Sequence, residues 1–286
     1  MAKQLTLTNT PYLYCISLTS STVANTAYTI VPADSTNDRR IYGMIISNTS
    51  AVNHNACTLW LSDGTTNYQM GLDNISANAG NNVSTGAKDL FTNTDFSGLL
   101  TYAMADNMGV WYFNLPKTWS MKFTYTNTLS VGNAMTFTTF GEKYDGVTLQ
   151  LTSNVFQQTA TFSNAGGTTR RDLVSSVAYD RRIYGIEATS NDSTARTLAI
   201  SLNDGTTNYL IYTISILANS GNSTTIAAQD LFYDAFIQGL FVRTADPEGI
   251  SYYFNLPAGW SLNGSFAVAP SLGTQINIKT IGETYE

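Results

Sequence analysis

Apolar and polar residues alternate in Met121-Lys122-Phe123-Thr124-Tyr125, in Leu198-Ala199-Ile200-Ser201-Leu202 and in Ile276-Asn277-Ile278-Lys279-Thr280-Ile281. A period of two buries one face of a strand and wets the other. β-Branched residues dominate, and no comparable run keeps the three-and-four spacing of an amphipathic helix. Turn residues separate the runs at short intervals. Asp63-Gly64 and Asp204-Gly205 each follow an alternating stretch and precede Thr-Thr-Asn-Tyr, which predicts a β-hairpin. Ala77-Asn78-Ala79-Gly80-Asn81 and Ala218-Asn219-Ser220-Gly221-Asn222 mark a second turn, and Leu115-Pro116 and Leu256-Pro257 a third. Asp89-Leu90-Phe91 and Asp230-Leu231-Phe232 are expected to open a short helical turn with the aspartate as cap.

These signals come in pairs because the chain is duplicated. Arg39-Arg40-Ile41-Tyr42-Gly43 returns as Arg181-Arg182-Ile183-Tyr184-Gly185, and Tyr112 through Pro116 returns as Tyr253 through Pro257. Asp63 to Asp204 and Gly141 to Gly282 both span 141 residues, whereas Arg39 to Arg181 spans 142, so one residue was gained or lost between Gly43 and Asp63. That segment contains Asn53-His54-Asn55 and reads as a surface loop. The period is far longer than the roughly 20 to 50 residues of a solenoid unit and fits a whole domain, usually about 100 to 200 residues. The predicted architecture is all-β: two tandem antiparallel β-sandwich, jelly-roll-like domains over residues 1–145 and 146–286. The junction from Gly141 to Leu151 has no Pro-rich or Ser-rich spacer, so a nearly fixed relative orientation is expected.

Composition narrows the function. Only 12% of the 286 residues are charged against 43% hydrophobic, so Asn, Thr and Ser build much of the polar surface. The formal net charge of −6 argues against a nucleic-acid partner, whose phosphates need Lys and Arg. No apolar stretch reaches signal-peptide or membrane-span length, so no membrane is expected and synthesis in a cytosol is. Cys15 and Cys57 have no counterparts in the second half, which excludes a duplicated disulfide framework, and both read as buried thiols. Sequons such as Asn82-Val83-Ser84 and Asn222-Ser223-Thr224 are expected by chance in a chain so rich in these residues.

Candidate chemistry is sparse. His54 is the lone histidine and lies near no nucleophile motif, and ligands for zinc or haem are lacking, so no cofactor or metal is expected. The duplicated acids, Asp63/Asp204, Asp89/Asp230 and Glu142/Glu283, each have a structural explanation as turn, cap or strand end. Arg39, Arg40, Arg181 and Arg182 concentrate positive charge in a chain with 14 basic residues; they read either as partners of acids such as Asp38 and Asp180 or as subunit contacts. Trp119 and Trp260 follow the Leu-Pro turn at one spacing and read as core or interface anchors. With Trp111, Tyr112, Tyr252 and Tyr253 they could alternatively stack on sugar rings.

Taken together, the Arg-Arg-Ile-Tyr-Gly opening, the Asp-Gly-Thr-Thr-Asn-Tyr hairpin, the Ala-Asn-Ser/Ala-Gly-Asn turn and Leu256-Pro257-Ala258-Gly259-Trp260 resemble β-rich virion proteins of tailed bacteriophages. The first copy departs from the last motif, reading Leu115-Pro116-Lys117-Thr118-Trp119. The resemblance implies a non-enzymatic virion protein that decorates or cements the capsid, with the major capsid protein or other virion proteins as partners. A homo-oligomer, such as a trimer presenting six domains, is expected with it. A tail, collar or head-fibre component is the structural alternative. A tandem carbohydrate-binding module contacting a host glycan, or a glycan hydrolase, is the alternative from another class.

Overall fold

The computed structural model describes all residues except 1–3, 8–9, 91–100, 104–109, 145–148, 223–224, 232–241, 247–248 and 286. The first half forms β1 (Gln4–Leu7), β2 (Thr10–Thr19), β3 (Tyr28–Val31), β4 (Asp38–Asn48), β5 (His54–Ser62) and β6 (Asn67–Ile75). It continues through β7 (Lys88–Asp89), β8 (Thr101–Ala103), β9 (Val110–Leu115), β10 (Ser120–Thr124) and β11 (Ala134–Tyr144). The second half repeats β2 to β6 as β12 (Leu149–Ser163), β13 (Arg171–Val174), β14 (Asp180–Ser190), β15 (Arg196–Asn203) and β16 (Asn208–Ile216). It then repeats β7 to β11 as β17 (Gln229–Asp230), β18 (Val242–Asp246), β19 (Gly249–Leu256), β20 (Ser261–Phe266) and β21 (Gln275–Tyr285).

Strand order makes each half a jelly roll. In the first, the sheet β2-β11-β4-β9 faces the sheet β3-β10-β5-β6; in the second, β12-β21-β14-β19 faces β13-β20-β15-β16. All pairings are antiparallel, and consecutive strands β2 and β3, or β3 and β4, lie in opposite sheets. Phe123, Phe137, Ile46 and Met135 fill the first core; Phe162, Phe266, Ile278 and Leu198 fill the second. β1 pairs with the start of β12, from Gln4↔Thr152 to Leu7↔Leu149, so the first strand of the chain joins the second sandwich. The proposed boundary at Asp145 lies outside the described residues.

The repeated motifs have physical causes. In β4 the register against β11 shifts so that Tyr42 is the extra residue of a bulge, with Gly141 opposite. Tyr184 and Gly282 repeat the arrangement between β14 and β21. A Cβ at Gly141 would fall on the Arg40 carbonyl oxygen, and one at Gly282 on the Arg182 carbonyl, so the bulge requires glycine across from it. The Asp-Gly turns close four-residue loops rather than two-residue ones: Asp63 Oδ1 accepts from the backbone N–H groups of Thr65 (2.8 Å) and Thr66 (2.7 Å), and Asp204 repeats this at Thr206 and Thr207. Gly64 takes φ of 97° there.

Two sequence expectations are corrected. Asp89 and Asp230 do not cap helical turns; they lie in the short strands β7 and β17 and pair with Ile45 and Glu187, because the backbone there is captured by β4 and β14. Phe91 and Phe232 lie outside the described residues. His54 is not on a surface loop: it is buried at the start of β5, its ring edge-on to Tyr125 at 5.9 Å. The extra residue of the first copy is instead absorbed next to it, by a bulge between His54 and Cys57 where Ala56 takes φ of 52°. The halves also differ beneath the Ala-Asn-x-Gly-Asn turn. In the second copy the buried Asp192 pairs with the partly exposed Arg196 at 2.9 Å, and Ser50 and His54 hold those positions in the first.

Gly141→Ala and Gly282→Ala are each expected to cost about 1 to 3 kcal/mol through overpacking at the bulge, read as a lower urea midpoint at unchanged slope. Asp192 supplies a pH test. Burial pushes its carboxyl up, but hydrogen bonds from Ser271, Arg196 and Thr194 outweigh it and hold the group at about 2, below the ordinary 3.8. A carboxyl depressed on folding stabilises above its unfolded pKa and loses that contribution as pH falls through the folded value. The stability gap between wild type and Asp192→Asn should therefore shrink from pH 4 toward pH 2; a gap that stays constant in urea titrations over that window contradicts the assignment.

Candidate interaction surfaces

The arginine pairs turn out to have split roles. Arg39 is buried and donates to the carbonyls of Pro32 (2.6 Å) and Trp119 (3.0 Å), with its guanidinium 5.5 Å from the Tyr12 ring centre. Arg181 is buried likewise, donating to Ser175 O at 2.5 Å above the Phe156 ring. Both guanidinium groups point into the interior of the chain, and neither pairs with its neighbouring acid. Asp38 accepts from the Lys117 N–H and Asp180 from the Ala258 N–H, which pins the Leu-Pro turn to the strand start. Strand alternation sends the second arginine of each pair to the other face, where Arg182 stacks over Tyr253 at 4.2 Å and Tyr285 at 5.3 Å. Glu283 accepts from the hydroxyls of Tyr184 (2.9 Å) and Tyr285 (2.7 Å) beside it. Arg40, Tyr42 and Glu142 repeat this cluster in the first half, where burial and then Glu142 raise the Tyr42 phenol above its usual range.

Trp119 and Trp260 are half-buried; Trp119 stacks against Tyr68 at 5.7 Å, and Trp260 lies tilted against Tyr209 at 6.1 Å. The side chains of Trp111, Tyr112 and Tyr252, named for the sugar platform, lie outside the described residues. The duplicated acids are spread over a turn, a short strand and a strand end rather than gathered. Among the described residues no cluster of His, Cys, Asp and Glu could hold a metal ion, and no helix is long and apolar enough to cross a membrane. Both cysteines are free and buried.

The surface that sequence reading missed is the seam between the halves. In β14 buried and accessible residues alternate, but in β4 every residue from Gly43 to Asn48 is buried, so both faces of β4 are covered. The outward residues Leu13, Cys15, Ile45 and Phe140 belong to the second sandwich's apolar cluster, together with Ile211, Tyr212 and Ile214. What covers them is β16, the outermost strand of its sheet. An outermost strand leaves a row of backbone groups without a sheet partner. Here Ser47 Oγ donates to the Leu210 carbonyl at 2.6 Å, and Gly80 permits close approach to the Ile211 carbonyl. Burial pushes the Cys15 thiol up to about 12, opposed by its hydrogen bond to Thr138 and reinforced by Asp204 across the seam.

No family model matches the chain, and no curated protein matches it. Among solved structures, the chain is similar to the crystal structure of the STIV MCP at 12% identity, covering 96% of each chain with a TM-score of 0.26. It is also similar to a chain in the atomic structure of Sulfolobus Turreted Icosahedral Virus at 12% identity, covering 95% of this chain and 59% of that one, with a TM-score of 0.25. Likeness at these scores supports no functional argument.

Because Ile45 is sealed in the seam, Ile45→Asp buries a charge with no partner at several kcal/mol and should open the halves. Thiol labelling followed by mass spectrometry should then show Cys15 reacting on the order of tenfold faster or more, since each 1.4 kcal/mol is tenfold. Cys57, inside the first sandwich, should stay protected; equal exposure of both thiols would mean unfolding rather than seam opening.

Proposed function

We propose that the chain is a non-enzymatic structural protein of a virion, acting through repeated protein–protein contacts at the capsid. The observation that carries this reading is the seam: two jelly rolls packed together, with the outermost strand of one docked on the sheet face of the other. Jelly rolls serve viral capsids, lectins and cupins alike, and fold alone does not choose among them. The side chains tip the balance. The repeated residues build bulges, turns and buried arginine anchors, and residues 1–145 and 146–286 act as two similar contact-making units.

Decoration or cementing of the capsid surface is the specific role proposed, with the major capsid protein or other virion proteins as partners. Trp119, stacked under the accessible Tyr68, the equally half-buried Trp260, and the half-buried Arg40 and Arg182 are the interface candidates at or near the surface. Low charge suits this role, since hydrogen-bonding Asn, Thr and Ser surfaces make many weak contacts that symmetry multiplies.

Quantitative mass spectrometry of purified source particles tests the reading. Hundreds of copies alongside a distinct major capsid subunit establish cement; hundreds with no other shell subunit make the chain the shell itself. A small multiple such as about three, six or twelve moves it to tail, collar or head fibre. Absence from the particle rejects the virion reading and brings glycan binding forward.

A further inference from the structure

The seam is head-to-tail: it joins the sheet face of the first sandwich to the outermost strand of the second. Each chain therefore keeps one unused copy of each partner, the β6 strand of the first sandwich and the β12-β21-β14 face of the second. We propose that these two surfaces bind each other between copies of this chain, repeating the seam as an intermolecular contact.

The residues at equivalent positions support a second copy as the occupant. β6 is outermost in its sheet as β16 is, and there Leu72, the counterpart of the buried Thr213, is 48% exposed and Tyr68 47% exposed. Gln69 stands where Leu210 presents its carbonyl to Ser47, and the counterpart of Ser47 is Thr189, which retains a hydroxyl and remains accessible. On the unused face, Ile281 replaces the buried Phe140 and is 44% exposed, while Val155 at its margin is 84% exposed. A recess lined by Tyr184, Glu187, Asp230, Lys279 and Ile281 marks this face. Its first-half counterpart, around Ile45, Thr138 and Phe140, is buried beneath β16.

The two versions differ in polarity. Glu187 and Lys279, paired in register, replace Ile45 and Thr138, and Gln157 and Thr159 stand level with Leu13 and Cys15. The intermolecular contact is thus wetter and weaker than the seam, which lets the chain fold and stay soluble before it assembles. A heterologous contact of this kind closes into a ring or runs on as a filament, and three chains would present six domains around a ring.

The test uses Leu72→Asp and Ile281→Asp, each at an exposed position and both acidic, so that the two lesions cannot rescue one another. In sedimentation velocity the wild type should associate with rising concentration, and each variant alone should remain monomeric. An equimolar mixture should form a dimer and stop there, because the intact face of one variant meets the intact strand of the other. Wild type that stays monomeric at all concentrations overturns the proposal. So does either variant assembling alone as wild type does, or a mixture that forms no dimer. The outcome is separate from the virion reading: a chain abundant in particles yet monomeric in solution sinks only the head-to-tail contact, and one that assembles this way but is absent from particles sinks only the virion role.

Discussion

The constraint on which the rest of this structure depends is the bare outer strand of a β-sheet. Each jelly roll satisfies its backbone internally except along its outermost strands, where carbonyl and amide groups face outward in a row. In the second sandwich that row is β16, and the first sandwich covers it with a sheet face carrying Leu13, Cys15, Ile45 and Phe140. Apolar contact excludes water and the Ser47 hydroxyl meets a carbonyl that would otherwise lose its hydrogen bond. β4 is buried on both faces from Gly43 to Asn48, and its sequence carries no charge from Ile41 to Ser47.

The same strand carries the second constraint. A bulge at Tyr42, facing Gly141, follows the first residues of β4, where Arg39 points into the sandwich and Arg40 out of it. Buried without a carboxylate, Arg39 is held by carbonyl oxygens of Pro32 and Trp119 and by the Tyr12 ring, which fastens the Leu-Pro-x-x-Trp turn to the strand start. Arg39 and Arg181, half of what looked like a functional charge cluster, are therefore held inside the sandwiches as anchors. The turn they fasten is tolerant of sequence: Thr118 takes φ of 69° where Gly259 takes 81°, so the departure of the first copy from the motif leaves the backbone path unchanged.

Much of the fold was legible in the sequence for local reasons. Period-two alternation marks strands such as Ser120–Thr124 and Gln275–Tyr285, and the fixed spacing of the duplicated motifs implies two copies of one sandwich. Misreadings arose where tertiary partners override local preference. Asp89 resembles a helix cap until β4 captures it as a strand, and His54 resembles a loop residue until Tyr125 and the bulge at Ala56 enclose it. The seam was harder still, because it concerns the outward face of strands whose inward face already explains their pattern. Its signal was present, though only in comparison between copies: Ile45 against Glu187 and Leu13 against Gln157 are places where one copy is more apolar than the other on the face that should be wet.

That comparison also explains why duplication does not yield two interchangeable domains. Two identical copies would carry two identical faces and two identical outer strands, and nothing would favour the contact inside a chain over the contact between chains except the effective concentration set by the tether. Strengthening one face with Ile45 and Phe140, while Glu187 and Lys279 occupy the other, separates the two contacts in energy as well as in connectivity. The strong contact is made within the chain as it folds; the weaker one is left to respond to concentration. An assembling subunit needs that order, since a free face as apolar as the seam would pair with any exposed strand it met before the chain had finished folding.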